Sequence, residues 1–432
     1  MRKSVDVQLK TMNSKFWLGA IFILGFTLRL LSSTIGYHGD LNNNISWGEV
    51  ANEKGLNGFY SSSNSDDWEF SAPNQPPLTI LTLASVIALE RKISDLIWYL
   101  NDRVVLFPSG LVWFWESWGE ILMVKLPSIL ADFGIGYLIY KYFKNLKKEA
   151  LGIKLFALWI FNPVVWYNSA VWGQTDGLVN LLALVAVICL IKKKLPEFSI
   201  FITLSMLFKG SLGIFMPVLF FYALLQRYRL IEWIKSIIYS LITIVLISIW
   251  FHPQIDLFKW LFDLYTKRFI PGEIGFLTAN AFNVWWLVDS GKVYDSTLYF
   301  GLPARNLGIL VTLLGNLGMM YWLYKKHNEK RFFASLVLVS LLSFLFMTRI
   351  HERYLYPFFP ISTLLLGITP SYWRIYALFS LIHLLNLYNL FWVPPFPFLE
   401  QALTMSAFIN SLALINIVLF LLTLRHLRHS NI

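Results

Sequence analysis

Long apolar stretches alternate with short polar ones along almost the whole chain. Most of the apolar stretches approach the ~20 residues that an α-helix needs to cross the hydrocarbon core of a bilayer. The pattern therefore predicts an all-α, polytopic transmembrane helical bundle that occupies residues 1–432 as a single domain. We expect about 12 helices, within a range of about 11–14. They are placed near 16–35, 121–140, 151–168, 177–191, 197–209, 211–226, 232–251, 305–324, 332–348, 354–367, 374–391 and 405–424.

Clusters of lysine and arginine separate many of these runs, and such clusters mark cytoplasmic loops. They occur at 141–148, 192–194, 227–229, 325–331 and 425–428, and further basic residues precede the first run. That run is too long for a signal-peptide core, so we expect it to remain as an anchor with both termini cytoplasmic. The extracytoplasmic stretches are then two large loops, 36–120 and 252–304, and the shorter pieces 166–176, 349–353 and 392–403.

The first large loop contains two further apolar runs, 78–90 and 95–114. The first of them is short for a span, and Arg91 and Lys92 separate the pair. We therefore expect two helices that lie along the outer membrane surface. Two additional transmembrane helices are the alternative.

Composition removes several classes of protein. The chain is 56% hydrophobic and 14% charged, whereas soluble domains are about 25% charged. The net charge of +11 is spread over short clusters between apolar runs, which is typical of signals for membrane topology. We therefore expect membrane lipids as partners and no nucleic acid. Cys189 is the only cysteine, so neither an internal disulfide nor a cysteine-based metal site is possible.

Several acidic residues are candidates for chemistry. Asp40 follows the first helix, where a carboxylate close to low-dielectric protein can act as a general base; a solvated loop carboxylate is the alternative. Gln174 and Asp176 lie in the 166–176 turn and could face an outer pocket, although Asp176 could instead cap the next helix. Asp132 and Arg29 lie inside predicted spans, where ionisable groups are costly, so we expect them to pair.

Basic residues at two positions suggest an anion site. His351 and Arg353 flank Glu352 at the outer interface, where they could hold a phosphate; charges that only anchor helix ends are the alternative. Lys209 lies between two short helices and needs an anion or a water-filled cavity.

The segment around Asn280, Asn283 and Trp285 mixes amides with aromatic rings, a composition that suits sugars. An interfacial aromatic belt explains it nearly as well. The sequence has no Walker loop, dinucleotide fingerprint or nucleophile elbow.

Taken in order, these segments resemble the GT-C membrane glycosyltransferases. They look most like the dolichyl-phosphate-glucose-dependent glucosyltransferases of asparagine-linked glycosylation and their prokaryotic relatives, and the first loop also resembles mannosyltransferases of lipid-anchor synthesis. The resemblance covers about residues 20–360. Its motifs are Gly39-Asp40, Gln75-Pro76-Pro77-Leu78-Thr79, Asp132, Trp172-Gly173-Gln174-Thr175-Asp176-Gly177, Phe208-Lys209, Asn280-Ala281-Phe282-Asn283-Val284-Trp285 and His351-Glu352-Arg353.

The resemblance implies transfer of a hexose, glucose or mannose, from a polyprenyl-phosphate donor to a lipid-linked glycan, glycolipid or cell-surface glycan. It implies Asp40 as the general base of one inverting displacement, with His351, Arg353 and Lys209 stabilising the phosphate that leaves. No metal and no cofactor are implied. The family commonly has a lysine where this chain has Arg353, which changes the geometry of phosphate contact.

Two other classes remain open at this point. A transporter or flippase of lipid-linked sugars would line its path with the same charges, and a glycan polymerase or ligase would use a whole lipid-linked oligosaccharide. Compactness and the single cysteine favour a prokaryotic plasma membrane, bacterial or archaeal, and an endoplasmic reticulum membrane is the alternative.

Overall fold

The computed structural model describes residues 2–61, 68–269, 274–289 and 291–429. Residues 62–67 of the first predicted loop and residues 270–273 and 290 of the second lie outside this description. The described chain is almost entirely helical, which confirms the predicted all-α class. Its strands form one antiparallel pair, β1 (Leu298–Tyr299) and β2 (Leu302–Pro303).

The helices follow the apolar runs closely in the second half of the chain and less closely in the first. The α-helices of the described residues are α1 (Arg2–Ser33), α2 (Asp40–Lys54), α3 (Pro77–Arg103), α4 (Ser109–Asn145), α5 (Glu149–Ile160), α6 (Pro163–Trp166), α7 (Asp176–Ile191), α8 (Leu195–Phe208), α9 (Met216–Leu225), α10 (Leu230–Ser248), α11 (Leu257–Leu264), α12 (Val284–Val288), α13 (Ala304–Lys325), α14 (Glu329–Phe346), α15 (Phe358–Ile368), α16 (Trp373–Leu390), α17 (Pro397–Thr404) and α18 (Ser406–His429). Short 3₁₀ turns lie at Gly210–Phe215, Glu352–Leu355 and Pro370–Tyr372, and π-helical turns lie at Tyr167–Trp172 and Tyr265–Phe269.

Five helices of the described chain are long and apolar enough to cross a membrane, judged by length and composition. They are Ser14–Ser33, Ser109–Asn145, Leu230–Ser248, Ala304–Lys325 and Ser406–Arg428. A sixth is added if the pair Glu149–Ile160 and Pro163–Trp172, bent by 47°, counts as one span. The predicted count of about twelve therefore stays a prediction.

The prediction that 78–90 and 95–114 are two separate helices is wrong, whereas their place along the membrane surface stays a prediction. A single helix, α3, continues through Arg91, and residues from 109 onward already belong to α4. The charge does not break α3 because the Arg91 side chain lies on the polar face and binds Glu53 of α2 at 3.1 Å. Leu83 and Ile87 form the buried face of the same helix.

Two other boundaries also differ from the prediction. The run at 151–168 is not one helix, because Asn162 accepts the Val164 N–H at 3.0 Å and Pro163 starts a new helix. Asp40 does not lie in a loop but is the first residue of α2.

The predicted pairing of Arg29 with Asp132 is confirmed. Arg29 Nε donates to Asp132 Oδ2 at 3.0 Å, and both side chains are completely buried. Ser169 Oγ donates to the same carboxylate at 2.6 Å and Tyr356 OH at 3.0 Å. Four parts of the chain therefore meet at Asp132: α1, α4, the π-helical turn 167–172 and the segment that follows the 351–353 turn.

A second, smaller apolar cluster holds α2 and α3 against the rest of the molecule. Leu41 of α2 and Ile80 of α3 pack in it with Leu207 of α8 and Phe251. Thr79 Oγ1 also donates to the Phe208 carbonyl at 2.5 Å. These contacts place the N-terminus of α2, and with it Asp40, beside the ends of α7 and α8.

Candidate active site

Asp40 is held by a residue from the opposite side of the site. Gln174 Nε2 donates to Asp40 Oδ2 at 2.6 Å. The Asp40 side chain remains 42% exposed, whereas Gln174 is buried. The carboxylate is thus fixed on one side and open to solvent on the other, which is the arrangement a general base needs.

The local fold around Gly173 directs Gln174 toward Asp40. The π-helical turn 167–172 ends at Gly173, whose φ is +87°, and the N–H groups of Gly173 and Gln174 donate to the Asn168 carbonyl at 3.2 and 2.9 Å. A Cβ atom on Gly173 would lie 2.7 Å from Leu41 Cδ2. Only glycine fits both the left-handed backbone and the close approach of α2.

His38 is a neighbour of Asp40 that the sequence analysis did not select. Its Nδ1 accepts the Asp40 N–H at 3.0 Å, so this nitrogen carries no proton and its 3.5 Å approach to Asp40 Oδ2 is not an ion pair. Burial lowers the pKa of His38, and Arg353 adds to this while Asp40 opposes it. The ring lies 5.0 Å from the rings of Trp172 and Phe391.

Asp176 and Lys209 form a buried ion pair. Lys209 Nζ lies 2.9 Å from Asp176 Oδ1, and the side chains are 10% and 7% exposed. Lys209 also lies over the Tyr354 ring, 5.4 Å from its centroid. The alternative that Asp176 or Thr175 merely caps α7 is wrong, because Thr175 at the cap position makes no side-chain capping bond and Asp176 binds Lys209 instead.

Glu352 and Arg353 form a second pair, 2.7 Å from Oε1 to Nη1, in which Glu352 is completely buried. Burial lowers the pKa of Arg353, but the negative charges of Glu352, Asp176 and Asp40 raise it above its usual value, so the guanidinium stays protonated. Burial and the positive charges of Arg353 and Lys209 lower the pKa of His351 to about 2. His351 is therefore a neutral imidazole at physiological pH.

The segment that contains Asn280 lies directly against His351. Ala279 N–H donates to the Ile350 carbonyl at 3.0 Å, and residues 279 and 280 form bridges with His351. Asn280 has a φ of +67° and its carbonyl accepts from Asn386 Nδ2 at 2.6 Å. The structure thus brings Asn280 to the edge of the site.

Asn283 and Trp285 have internal roles instead of the expected sugar contacts. Asn283 Oδ1 accepts from the N–H groups of Trp285 at 3.1 Å and Trp286 at 3.2 Å and so caps α12. Trp285 Nε1 donates to the Phe346 carbonyl at 2.7 Å. Both residues are buried.

The rings of Trp172 and Tyr354 both lie beside the Arg353 guanidinium and connect it to His38 and Lys209. The Arg353 guanidinium lies 5.9 Å from the Trp172 centroid and 5.8 Å from that of Tyr354. Trp172 contacts His38 and Tyr354 contacts Lys209. The site residues that the structure brings together are Asp40, Gln174, Asp176, Lys209, Asn280, His351, Glu352 and Arg353.

Several buried polar atoms of this site have no hydrogen-bond partner among the described residues. They are Asp176 Oδ2, Glu352 Oε2, Arg353 Nε, Trp172 Nε1 and both amide atoms of Asn168. Leaving such an atom unsatisfied costs about 1–3 kcal/mol. Acceptors and donors therefore remain available here for a polar ligand or for water.

A small apolar cavity of about 30 Å³ lies next to the ion pair. It starts at Asn180, one turn after Asp176, and continues along α7 to Val187. Leu212 and Phe215 line it from the 3₁₀ turn before α9, and Pro357 lines it from the segment after Arg353. A polar site and an apolar cavity thus lie end to end.

Comparisons with known proteins give no family. No protein-family model matches the chain, and no curated protein matches its sequence. Among the described residues, no group of three or more His, Cys, Asp and Glu side chains could hold a metal ion.

Proposed function

We propose that this protein is an integral membrane glycosyltransferase of the GT-C type. It transfers a hexose from a polyprenyl-phosphate donor to a lipid-linked or cell-surface glycan on the extracytoplasmic face. The observation that carries the proposal is the meeting of the half-exposed carboxylate of Asp40 with two buried ion pairs, Lys209–Asp176 and Arg353–Glu352.

In this proposal Asp40 is the general base. It accepts the proton of an acceptor hydroxyl, and the oxygen attacks the anomeric carbon of the donor sugar. The bond between that carbon and the phosphate oxygen breaks, and the phosphate leaves with the electron pair. A single displacement of this kind inverts the configuration. Gln174 orients the carboxylate without removing its charge.

The unsatisfied buried atoms are suited to the donor head group. Asp176 Oδ2 and Glu352 Oε2 can accept from sugar hydroxyls, and Trp172 Nε1 can donate to one. Arg353 binds Glu352 through one of its five N–H groups, and its unpartnered Nε–H faces the phosphate in this proposal. Lys209 and His351 complete the phosphate site, and the mechanism needs no metal and no cofactor.

We place the start of the donor's isoprenoid chain against the apolar side chains that line the small cavity, because this lining begins one turn from the Asp176–Lys209 pair. The shorter apolar helices α7, α8 and α9 and the helices α14, α15 and α16 then cross the bilayer together with the five long helices and the bent pair, which gives about twelve spans. In this arrangement the termini are cytoplasmic and the membrane is a prokaryotic plasma membrane.

The test is a transfer assay with the purified protein. It is incubated with native lipid extract and radiolabelled polyprenyl-phosphate glucose, mannose or galactose, and Asp40→Asn is compared with wild type. Asp256→Asn is the control, since that carboxylate is 56% exposed and contacts His252 outside the site. We expect transfer by wild type and Asp256→Asn and none by Asp40→Asn.

Other results would overturn the proposal. Equal transfer by Asp40→Asn and wild type would show that Asp40 is not the base. If no sugar is transferred from any donor although the extract is verified to contain acceptors, the protein is not a transferase of single sugars. Movement of labelled lipid without bond formation would indicate a flippase instead, and transfer only from a whole oligosaccharide donor would indicate a polymerase or ligase.

A further inference from the structure

A lysine lies buried beneath the site and has no carboxylate partner among the described residues. Lys125 of α4 is 0% exposed. Its Nζ donates to three backbone carbonyls: Ser33 at 2.9 Å, Val171 at 3.0 Å and Gly36 at 3.4 Å. A lysine inside an apolar run is costly, so this arrangement calls for an explanation.

Two of the three carbonyls, those of Ser33 and Val171, belong to helix ends that need a donor. Ser33 is the last residue of α1, and Val171 lies in the last turn of the π-helical segment 167–172. The final carbonyls of a helix have no partner within the helix and carry partial negative charge. An ammonium group has three N–H donors for three acceptors. In its ammonium form the lysine satisfies all three carbonyls at once.

The same two segments lead directly to the two ends of the Gln174–Asp40 hydrogen bond. Gly36 precedes Asp40 by four residues, and Val171 precedes Gln174 by three. The lysine stem also packs against Gly173, where a Cβ atom would lie 3.1 Å from Lys125 Cγ. Lys125 therefore binds both segments a few residues before they reach Asp40 and Gln174.

We propose that Lys125 is a positioning residue that sets the geometry of Asp40 relative to Gln174 through the backbone. The inference rests on the proposed function only where it treats Asp40 as the base. Lys125→Met keeps most of the side-chain volume but leaves three carbonyls without this donor, two of them buried. The two segments then shift to satisfy them, and the 2.6 Å hydrogen bond between Gln174 and Asp40 is lost.

A distance measurement tests this without any substrate. Nitroxide labels are attached to Gly39→Cys and Thr175→Cys in a Cys189→Ser background, and the distance distribution is recorded by double electron–electron resonance. A Cβ atom at Gly39 meets nothing within 4 Å, so the label fits there. Leu323→Ala in α13 is the control, because it creates a core cavity in a helix that carries none of these residues.

We expect a narrow distribution in the parent and in Leu323→Ala, and one at least twofold broader in Lys125→Met. Lys125→Gln, whose amide keeps two N–H donors, should lie between them. This second variant keeps the test decisive if Lys125→Met does not fold. Unchanged distributions in the folded lysine variants would overturn the proposal.

Kinetics separate a positioning role from a loss of stability. In unlabelled protein, Lys125→Met should lower kcat by about tenfold to a hundredfold, as misplaced catalytic groups do, with KM changed less than about twofold. Equal losses of kcat in Leu323→Ala would contradict this. If wild type transfers no sugar, the proposed function fails, and the distance measurement alone still decides the role of Lys125.

Discussion

Gln174 Nε2 donates a 2.6 Å hydrogen bond to Oδ2 of Asp40 although 134 residues separate the two in the chain. The other two carboxylates of the site, Asp176 and Glu352, each face a cation. A neutral amide orients Asp40 but leaves its negative charge uncompensated by a direct ion pair, since the adjacent His38 is neutral. Among the three, Asp40 is therefore the carboxylate that is free to take a proton.

Replacing the amide by an acid tests this relationship. In Gln174→Glu two carboxyl groups lie at hydrogen-bond distance and share a proton, so the pair becomes fully ionised only at higher pH than a single carboxylate. We expect the acidic limb of the transfer rate to move up by at least about one pH unit. The pH profile of transfer measures it.

Gln174→Leu is the matched control for that profile. It removes the hydrogen bond without adding a charge, so transfer should fall while the acidic limb stays within about half a pH unit of wild type. A Gln174→Glu profile that coincides with wild type would mean that the two side chains are not in contact.

Gly173 and Gly39 should respond oppositely to alanine. Gly173 has a φ of +87° and no room beside Leu41, so Gly173→Ala should cost at least about 1–2 kcal/mol from the left-handed backbone alone. Gly39 has a φ of −58° and open space, so Gly39→Ala should stay within about 0.5 kcal/mol. Unfolding in detergent measures both, and equal effects would contradict the turn geometry.

The sequence could predict the long apolar helices and the pairing of charged residues inside them. Helices such as α13 and α18 are long and uniformly apolar, so their existence follows from the run itself. The contact between Arg29 and Asp132 followed from the cost of an unpaired charge in a bilayer. In both cases one strong physical term decides the outcome.

Backbone partners are what the sequence could not show. The three acceptors of Lys125 are carbonyls, which every residue has, so no pattern marks them. The same holds for Trp285, whose indole donates to a carbonyl instead of a sugar. A single lysine in the apolar run 121–140 was the available signal for the first.

The Arg29–Asp132 pair should be essential for stability. Removing one partner leaves a buried charge uncompensated, so Arg29→Gln and Asp132→Asn should each cost about 3–5 kcal/mol. The double variant Arg29→Met/Asp132→Leu should recover part of this loss. Glu197→Gln breaks an exposed pair with Lys194 and should cost less than about 1 kcal/mol. A similar loss in Glu197→Gln would show that burial is not the cause.

The neutral state of His351 predicts a pH dependence of stability. Its pKa is lowered to about 2 in the folded protein, against about 6.5 in an unfolded chain. Between these values the unfolded chain binds a proton that the folded protein does not, so stability falls as the pH drops below about 6.5. His351→Asn should flatten the decline of Tm between pH 7 and 4. An unchanged slope would mean that His351 takes up its proton without cost.

The orientation of the site across the membrane can be tested at the turn before α4. This helix has 37 residues and is about 55 Å long at 1.5 Å per residue, well beyond a ~30 Å hydrocarbon core. Its C-terminal turns carry Lys141 and Lys144, which favour the cytoplasmic side, so its first turns extend beyond the opposite face. Val105, just before them, is fully exposed.

In a Cys189→Ser background, Val105→Cys should therefore react with an impermeant maleimide on intact cells. Lys147→Cys, at the other end of α4, should react only after permeabilisation. The reverse pattern would put Asp40 on the cytoplasmic face, because the start of α4 and Asp40 lie on the same side of the Arg29–Asp132 pair. The donor and acceptor of the proposed transfer would then have to be cytoplasmic.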